Sequence, residues 1–311
     1  MIFKDKIKEK VKPISDEINS LFEIALKNQT HSGDLLLILS NGFYSEDIAE
    51  RNKTNPDKFS PYVIGMGKEG WSEHTHFDFI DLYRNHSIYK ETYTEYIKHH
   101  ECDPAKQKEI KQLRNEEGIT IHVEMMIYLK IWEADMTIKK LYEFVRILCG
   151  ESFNWHFKIA ESNRDKSATG TRQDIIRELI RDKVRPFTET LYAILKVTYI
   201  TQLRNSIAHS NYSFLGRHIH PNNFIKEDLA SQLKAVSFDE WIDIFHNTLM
   251  LQNELIGLSN KIWKHYSDIA LANKNINEIR ITKSDGSVEL RNVYYRSDFK
   301  EWVWESQMTE K

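Results

Sequence analysis

Apolar positions recur at steps of three and four through much of the chain, the spacing that lines one face of an α-helix. The first clear stripe is Ile14, Ile18, Leu21, Phe22 and Ala25, and Pro13 before it suits the first turn of a helix starting there. A short apolar run over residues 35–39 ends at Asn41-Gly42. Asn55-Pro56, Pro61, Gly65, Gly67 and Gly70 then predict a loop over 51–72. Residues 77–100 are rich in Tyr, Phe and His with a weak helical pattern, and 103–118 are mostly charged, which fits an exposed helix or a linker.

The periodicity is strongest from residue 123 to 148. Val123, Ile127, Ala134, Ile138, Leu141, Val145 and Leu148 predict one long helix, with Gly150 as its stop. Thr171 and Asp174 resemble a capping box that opens a helix with Ile175, Ile176, Leu179 and Ile180 inward, while Arg177, Arg181 and Arg185 repeat every four residues on its other face. Beyond Pro186, the residues Phe187, Leu191, Ile194, Leu195, Tyr199 and Leu203 describe a helix that is apolar around most of its girth. Ser237 and Glu240 form a second capping box, leading into a helix with Trp241, Phe245, Leu249, Ile256, Ile262 and Trp263 that runs to about residue 272. Alternation around Ile279 and Ile281, the Asp285-Gly286 turn, and Val288 with Leu290 predict a β-hairpin. The expected fold is mainly α: a mostly helical N-terminal region over 1–118, an all-helical bundle over 119–272, and a small C-terminal β-hairpin and tail over 273–311.

Composition changes this picture little. At 311 residues, 41% hydrophobic and 29% charged, the chain is ordinary for a globular protein with a sizeable core. It has no apolar run of membrane-spanning length and no secretory-type start, so the expected setting is cytoplasmic, with no membrane partner. Its two cysteines, Cys102 and Cys149, lie far apart and are read as reduced structural thiols. A net charge of −3 excludes a uniformly basic coat for nucleic acid. The charge is uneven, however: residues 164–226 hold 11 Lys and Arg against 5 Asp and Glu, about +6 there and about −9 elsewhere. Either a polyanion-facing region or a solvated helix face accounts for it.

Within that basic stretch lies Arg204-Asn205-Ser206-Ile207-Ala208-His209. On a helix, Asn205 and His209 are four apart and share a face, so the amide is expected to hydrogen-bond the imidazole and fix its tautomer. Arg204 stands about 140° from His209 around the axis, so its side chain must curl round or the helix must end. An imidazole can take the proton of a ribose 2′-hydroxyl or protonate a leaving 5′-oxygen, and a guanidinium offers a charged fork to the phosphate. Such a set cleaves RNA without a metal and leaves a cyclic phosphate. One imidazole is too few for both proton transfers, which points to a site shared by two chains. The bare Arg–His spacing is common by chance in a chain with 13 His; its weight comes from Asn205, from the buried helix before it, and from no other Arg having a His at that distance.

The segment Leu203-Arg204-Asn205-Ser206-Ile207-Ala208-His209-Ser210-Asn211-Tyr212 resembles the Arg–polar–three residues–His motif of the HEPN superfamily, small helical bundles found in toxins, abortive-infection proteins and CRISPR-associated ribonucleases. The likeness covers the motif and the helices around it, about 120–272. It implies Arg204 and His209 as the catalytic pair, Asn205 as their support, RNA as the substrate, a homodimer that joins two motifs, and an antitoxin or sensor protein as a further partner. No cofactor is implied. Other members of that superfamily are silent binding modules, and here the basic helix of Arg177, Arg181 and Arg185 would carry such a role.

Further candidates surround this core. Tyr212, Arg217 and His218, with His220, stand where an RNA groove would pass, although Tyr212 equally fits core packing and the two histidines equally fit a loop around Pro221. His74, His76 and Asp78 would share one side of an extended strand, and His99, His100, Glu101 and Cys102 form a second cluster; neither has the spacing of a zinc site, and no metal is expected. Trp132, Trp241 and Trp263 fall on predicted helices, whereas Trp302 and Trp304 alternate in the tail, placed to cover another subunit or domain. Glycine-rich phosphate loops, nucleophile elbows and HExxH are absent.

Overall fold

In the computed structural model the chain is described over residues 1–53, 60–101, 103–162 and 164–305, with the side chains of 9–10, 68–74 and 230 outside that description. The predicted Asn55-Pro56 turn and Cys102 therefore lie outside the described residues. The fold is mainly helical, 58% helix, with a small antiparallel C-terminal sheet. Among the described residues no helix is long and apolar enough to cross a membrane.

Helix α1 spans Lys4–Asn28 and buries Ile14, Ile18, Leu21, Phe22 and Ala25 as expected, but it starts nine residues before Pro13, which sits inside it. The cause is upstream: Ile2 and Phe3, fully buried, pair in parallel with Ile88–Tyr89 and lead straight into the helix. Helix α2 is Asp34–Leu39, α3 is Glu46–Asn52 with Ser45 as its N-cap, α4 is Lys68–His86, and α5 is Tyr93–Lys98 behind a Thr92–Glu95 capping box. The loop expected over 51–72 is thus shorter, with Gly65 turning at a φ of +120°.

Helix α6, Gln107–Trp132, absorbs the charged stretch as an exposed first half, so residue 118 lies mid-helix. The single helix expected over 123–148 is two: α6 ends at Trp132, with Glu133 as its C-cap, and α7 runs Asp135–Leu148. Apolar periodicity survives this break because each piece buries its own stripe. Thr171 caps α8, Arg172–Asp174, as predicted, but the chain continues as a π-helix over Ile175–Asp182. The helix expected over 187–203 also divides, into α9, Glu189–Thr198, and α10, Thr201–Ala208. Helix α11, Phe238–Ala272, follows the Ser237–Glu240 capping box as expected.

The C-terminal hairpin pairs Ile276–Thr282 with Val288–Arg296, and a third strand, Glu301–Trp304, completes an antiparallel sheet whose Trp302 and Trp304 are buried. The segment 119–272 is not all helical. It contains a two-stranded parallel pair, Ile159–Ala160 with Gly170–Thr171, and an antiparallel sheet of Tyr212–Phe214, His218–Pro221 and Val236–Ser237. Period-two runs of two to four residues are too short to register against helical periodicity.

The chain folds as two compact units, each assembled from three separated stretches: Met1–Asp16, His74–Ala134 and Thr190–Glu254 in the first, and Glu17–Glu73, Asp135–Glu189 and Leu255–Lys311 in the second. The core of the first unit gathers Ile121, Met125, Tyr128 and Trp132 of α6, Leu191 and Leu195 of α9, Leu203 of α10, and Trp241 and Phe245 of α11. In the second, α7 supplies Ile138, Leu141, Val145 and Leu148, joined by Leu35, Leu36, Ile175, Ile176 and Ile180. A polar clamp reinforces that core, with Lys139 donating to Asn41 Oδ1 at 2.9 Å and to the Gly42 carbonyl at 2.6 Å.

Candidate active site

Helix α10 exists because Leu203 and Ile207 dock into the first unit's core while Thr201, Arg204 and Asn205 stay partly accessible. Behind it, Tyr199 meets Trp132 edge-on at 5.2 Å, and Tyr128 donates to the Thr198 carbonyl at 2.8 Å, fixing the kink between α9 and α10. His209 is the C-cap of α10, with its amide donating to the Asn205 carbonyl at 3.1 Å. Ser210 then adopts a φ of +53°, its amide reaching Ile207 O at 3.1 Å, and Asn211 reaches Ser206 O at 2.7 Å. This paired closure is a Schellman motif, which satisfies the last helical carbonyls and stops the helix sharply.

The stop decides the geometry. His209 sits at the helix end with an exposed side chain, and its imidazole makes no hydrogen bond or ion pair among the described residues. The expected Asn205–His209 hydrogen bond is not formed: Asn205 Oδ1 instead accepts from Arg204 Nη1 at 2.5 Å. Arg204 in turn reaches the C-cap of α6, where its Nε lies 2.5 Å from Glu133 Oε1. Both of those atoms are shut off from solvent, and the contact is an ion pair without hydrogen-bond alignment. Glu133 escaped the sequence reading because the apolar repeat ran through it; the signal was Asp135, an acid suited to a new helix's first turn.

Arg217 and His218 enter the same unit on the hairpin that follows, turned by Gly216 at a φ of +60°. Arg217 is not an available phosphate ligand. Its Nε and Nη2 bind the two oxygens of buried Glu117 at 3.1 and 2.7 Å, and its Nη1 lies 3.1 Å from Asp239 Oδ1. These carboxylates hold its guanidinium pKa above the ordinary value against the cost of burial. His218 and His220 lie on a strand rather than in a loop, flanking buried Ile219, with rings 6.1 Å apart. Tyr212 is half-buried against His122 and Phe214, each 5.8 Å away, and burial raises its phenol pKa.

Arg177, Arg181 and Arg185 belong to the second unit, and they do not form one α-helical face. The first two ride the π-helix, whose hydrogen bonds step by five residues, and Arg185 lies past its end at Asp182. Arg181 Nε pairs with Asp182 at 2.7 Å and Arg185 Nε with Glu189 at 3.5 Å.

The other clusters do not assemble. His76 and Asp78 ride α4 rather than a strand, where residues two apart diverge by about 200°, and the His74 side chain lies outside the described residues. Burial and the nearby Lys130 push the His76 pKa down. His99 pairs with Glu91 at 3.0 Å, whereas His100 is held low by burial beside Glu117. Among the described residues no group of three or more His, Cys, Asp or Glu could hold a metal ion. Cys149, read as a reduced structural thiol, is free and exposed. A cavity of about 420 Å³ lies in the first unit between Tyr89, Tyr96, Ile110 and Leu113 with a charged rim, and none of the Arg204–His209 residues lines it. Neither a known protein family, nor a curated protein, nor a solved structure matches this chain.

Proposed function

We propose that this chain is a metal-independent endoribonuclease of the HEPN kind, a toxin or anti-phage effector that acts on RNA as a homodimer. The observation that carries the reading is the exposed His209 imidazole, without a protein partner among the described residues, at the end of the same helix that fixes Arg204. In the reaction, a ribose 2′-oxygen attacks the adjacent phosphorus while the bond from phosphorus to the 5′-oxygen breaks. One imidazole takes the 2′-hydroxyl proton and another delivers a proton to the leaving oxygen. The products are a 2′,3′-cyclic phosphate and a free 5′-hydroxyl. Arg204 neutralises charge that builds on the non-bridging oxygens, and the second imidazole is His209 of a second copy.

The test is total RNA incubated with the protein in EDTA, beside His209→Ala. The wild type should cut and the variant should lose about 10²- to 10⁴-fold in rate. Identical RNA profiles sink the enzyme, a strict Mg²⁺ requirement sinks the metal-free route, and a monomer by light scattering at micromolar concentration sinks the shared cleft. A second reading, a silent HEPN-type module that binds nucleic acid or a protein, draws on the Glu133 contact, because a guanidinium already paired with a carboxylate carries less net charge toward phosphate. Retained RNA binding without cleavage would favour it.

A further inference from the structure

Glu133 stands where elementary electrostatics would not put a carboxylate. It is the C-cap of α6, at a φ of −99°, with its amide on the Leu129 carbonyl at 2.7 Å; the negative end of a helix disfavours an acid there. Arg204 counters the misplaced charge: its Nε meets Glu133 Oε1 at 2.5 Å in a spot closed to solvent. The guanidinium has five N–H donors. Glu133 faces the one on Nε and Asn205 takes one on Nη1, so three have no protein partner among the described residues. The group is gripped on one edge and left open on the other.

We infer that Glu133 is the positioning residue of Arg204: it orients the guanidinium so that its open edge is presented to the scissile phosphate. This assignment rests on the ribonuclease reading above. A carboxylate that merely occupied the phosphate's place would have the opposite effect, since removing it would free Arg204 and speed cleavage. A purely structural ion pair would change stability and leave the rate per folded molecule alone.

The experiment measures steady-state cleavage of a single-stranded RNA oligonucleotide in EDTA by the full chain, with thermal unfolding followed on each protein. Glu133→Gln keeps the size and an acceptor oxygen but removes the charge; kcat should fall about 100-fold with KM nearly constant, as expected for a loss of alignment rather than of binding. Glu133→Asp keeps the charge with a shorter reach and should recover part of that loss, which also serves if Glu133→Gln folds poorly. In an Arg204→Lys background, Glu133→Gln should cost nothing further. A wild type that cleaves while Glu133→Gln and Glu133→Asp match or exceed its kcat overturns this assignment and leaves the ribonuclease reading standing. A wild type that cleaves no RNA overturns both.

Discussion

Arg204 with Glu133 in the first unit and Arg146 with Glu143 in the second are both guanidinium–carboxylate pairs, yet their surroundings differ. Arg146 donates from Nε and Nη2 to the Ser152 carbonyl at 3.1 and 2.9 Å, and from Nη1 to Tyr142 at 3.3 Å, with Glu151 2.6 Å from that same nitrogen. Its carboxylate neighbour, Glu143, is fully buried and accepts the Asn154 amide at 3.0 Å. Nearly every donor of Arg146 is therefore committed to fixing the segment after α7. Arg204 commits two of its five, and the histidine at the end of its helix is exposed. Saturated donors hold a fold together, whereas unsaturated ones leave capacity for a ligand, so the contrast separates a brace from a candidate site.

The largest effect that would break this contrast comes from deleting each guanidinium. Arg204→Ala should lower RNA cleavage per folded molecule by about 10²- to 10³-fold while removing only about 1 kcal/mol of stability, since Glu133 loses its partner but keeps part of its side chain in solvent. Arg146→Ala should do the reverse, leaving cleavage per folded molecule intact while removing about 2–4 kcal/mol of stability, because the Ser152 carbonyl, the Tyr142 hydroxyl and Glu151 would all lose the group that holds them. Chemical denaturation and single-turnover kinetics on the two variants read both quantities. If Arg204→Ala instead destabilised as much as Arg146→Ala and cleavage merely followed the folded fraction, the two pairs would be equivalent braces.

Glu143 sharpens the comparison through pH. Burial pushes its pKa from the ordinary 4.5 up to about 8, against the pull of the Asn154 amide, Lys139 and Arg146. The folded chain thus keeps a proton that the unfolded chain has released between those limits. Its contribution to stability is complete below about pH 4.5 and is lost as pH rises toward 8, on the order of several kcal/mol. Melting temperature should fall from pH 6 to 8.5, and Glu143→Gln, which stays neutral, should flatten that slope. A slope unchanged by Glu143→Gln would mean that Glu143 titrates like an exposed acid.

What was legible in the sequence follows from length and period. Helix α11 and the C-terminal hairpin were readable because a capping box agreed with six helically spaced positions in the one, and a Gly turn with four alternating positions in the other. The breaks at Glu133-Ala134 and Tyr199-Ile200 were not, since an apolar stripe carries across a kink when both halves bury it. The motif residues were placed correctly on a helix end, but their partners were not. Arg217 read as a groove residue because Glu117, its bidentate partner, lies 100 positions away, and Glu133 was hidden inside a periodic run. Side-chain pairing over such separations is a property of tertiary packing, which local spacing does not encode.

The smallest expected effect concerns the turn that sets His209 in place. Ser210 holds a φ of +53°, a conformation that strains a side chain and that glycine adopts freely. Ser210→Gly relieves that strain but adds freedom to the unfolded chain, so the net gain should be about 0.5 kcal/mol, with cleavage unchanged because the Schellman hydrogen bonds of Ser210 and Asn211 need only the backbone. Ser210→Val adds a β-branched side chain to the same φ and should cost about 1–2 kcal/mol. If the helix end positions His209, Ser210→Val should also slow cleavage more than the lost folded fraction explains, while Arg146→Ala, at matched instability, should not. Equal slowing by the two would show that His209 depends on overall stability rather than on the turn beside it.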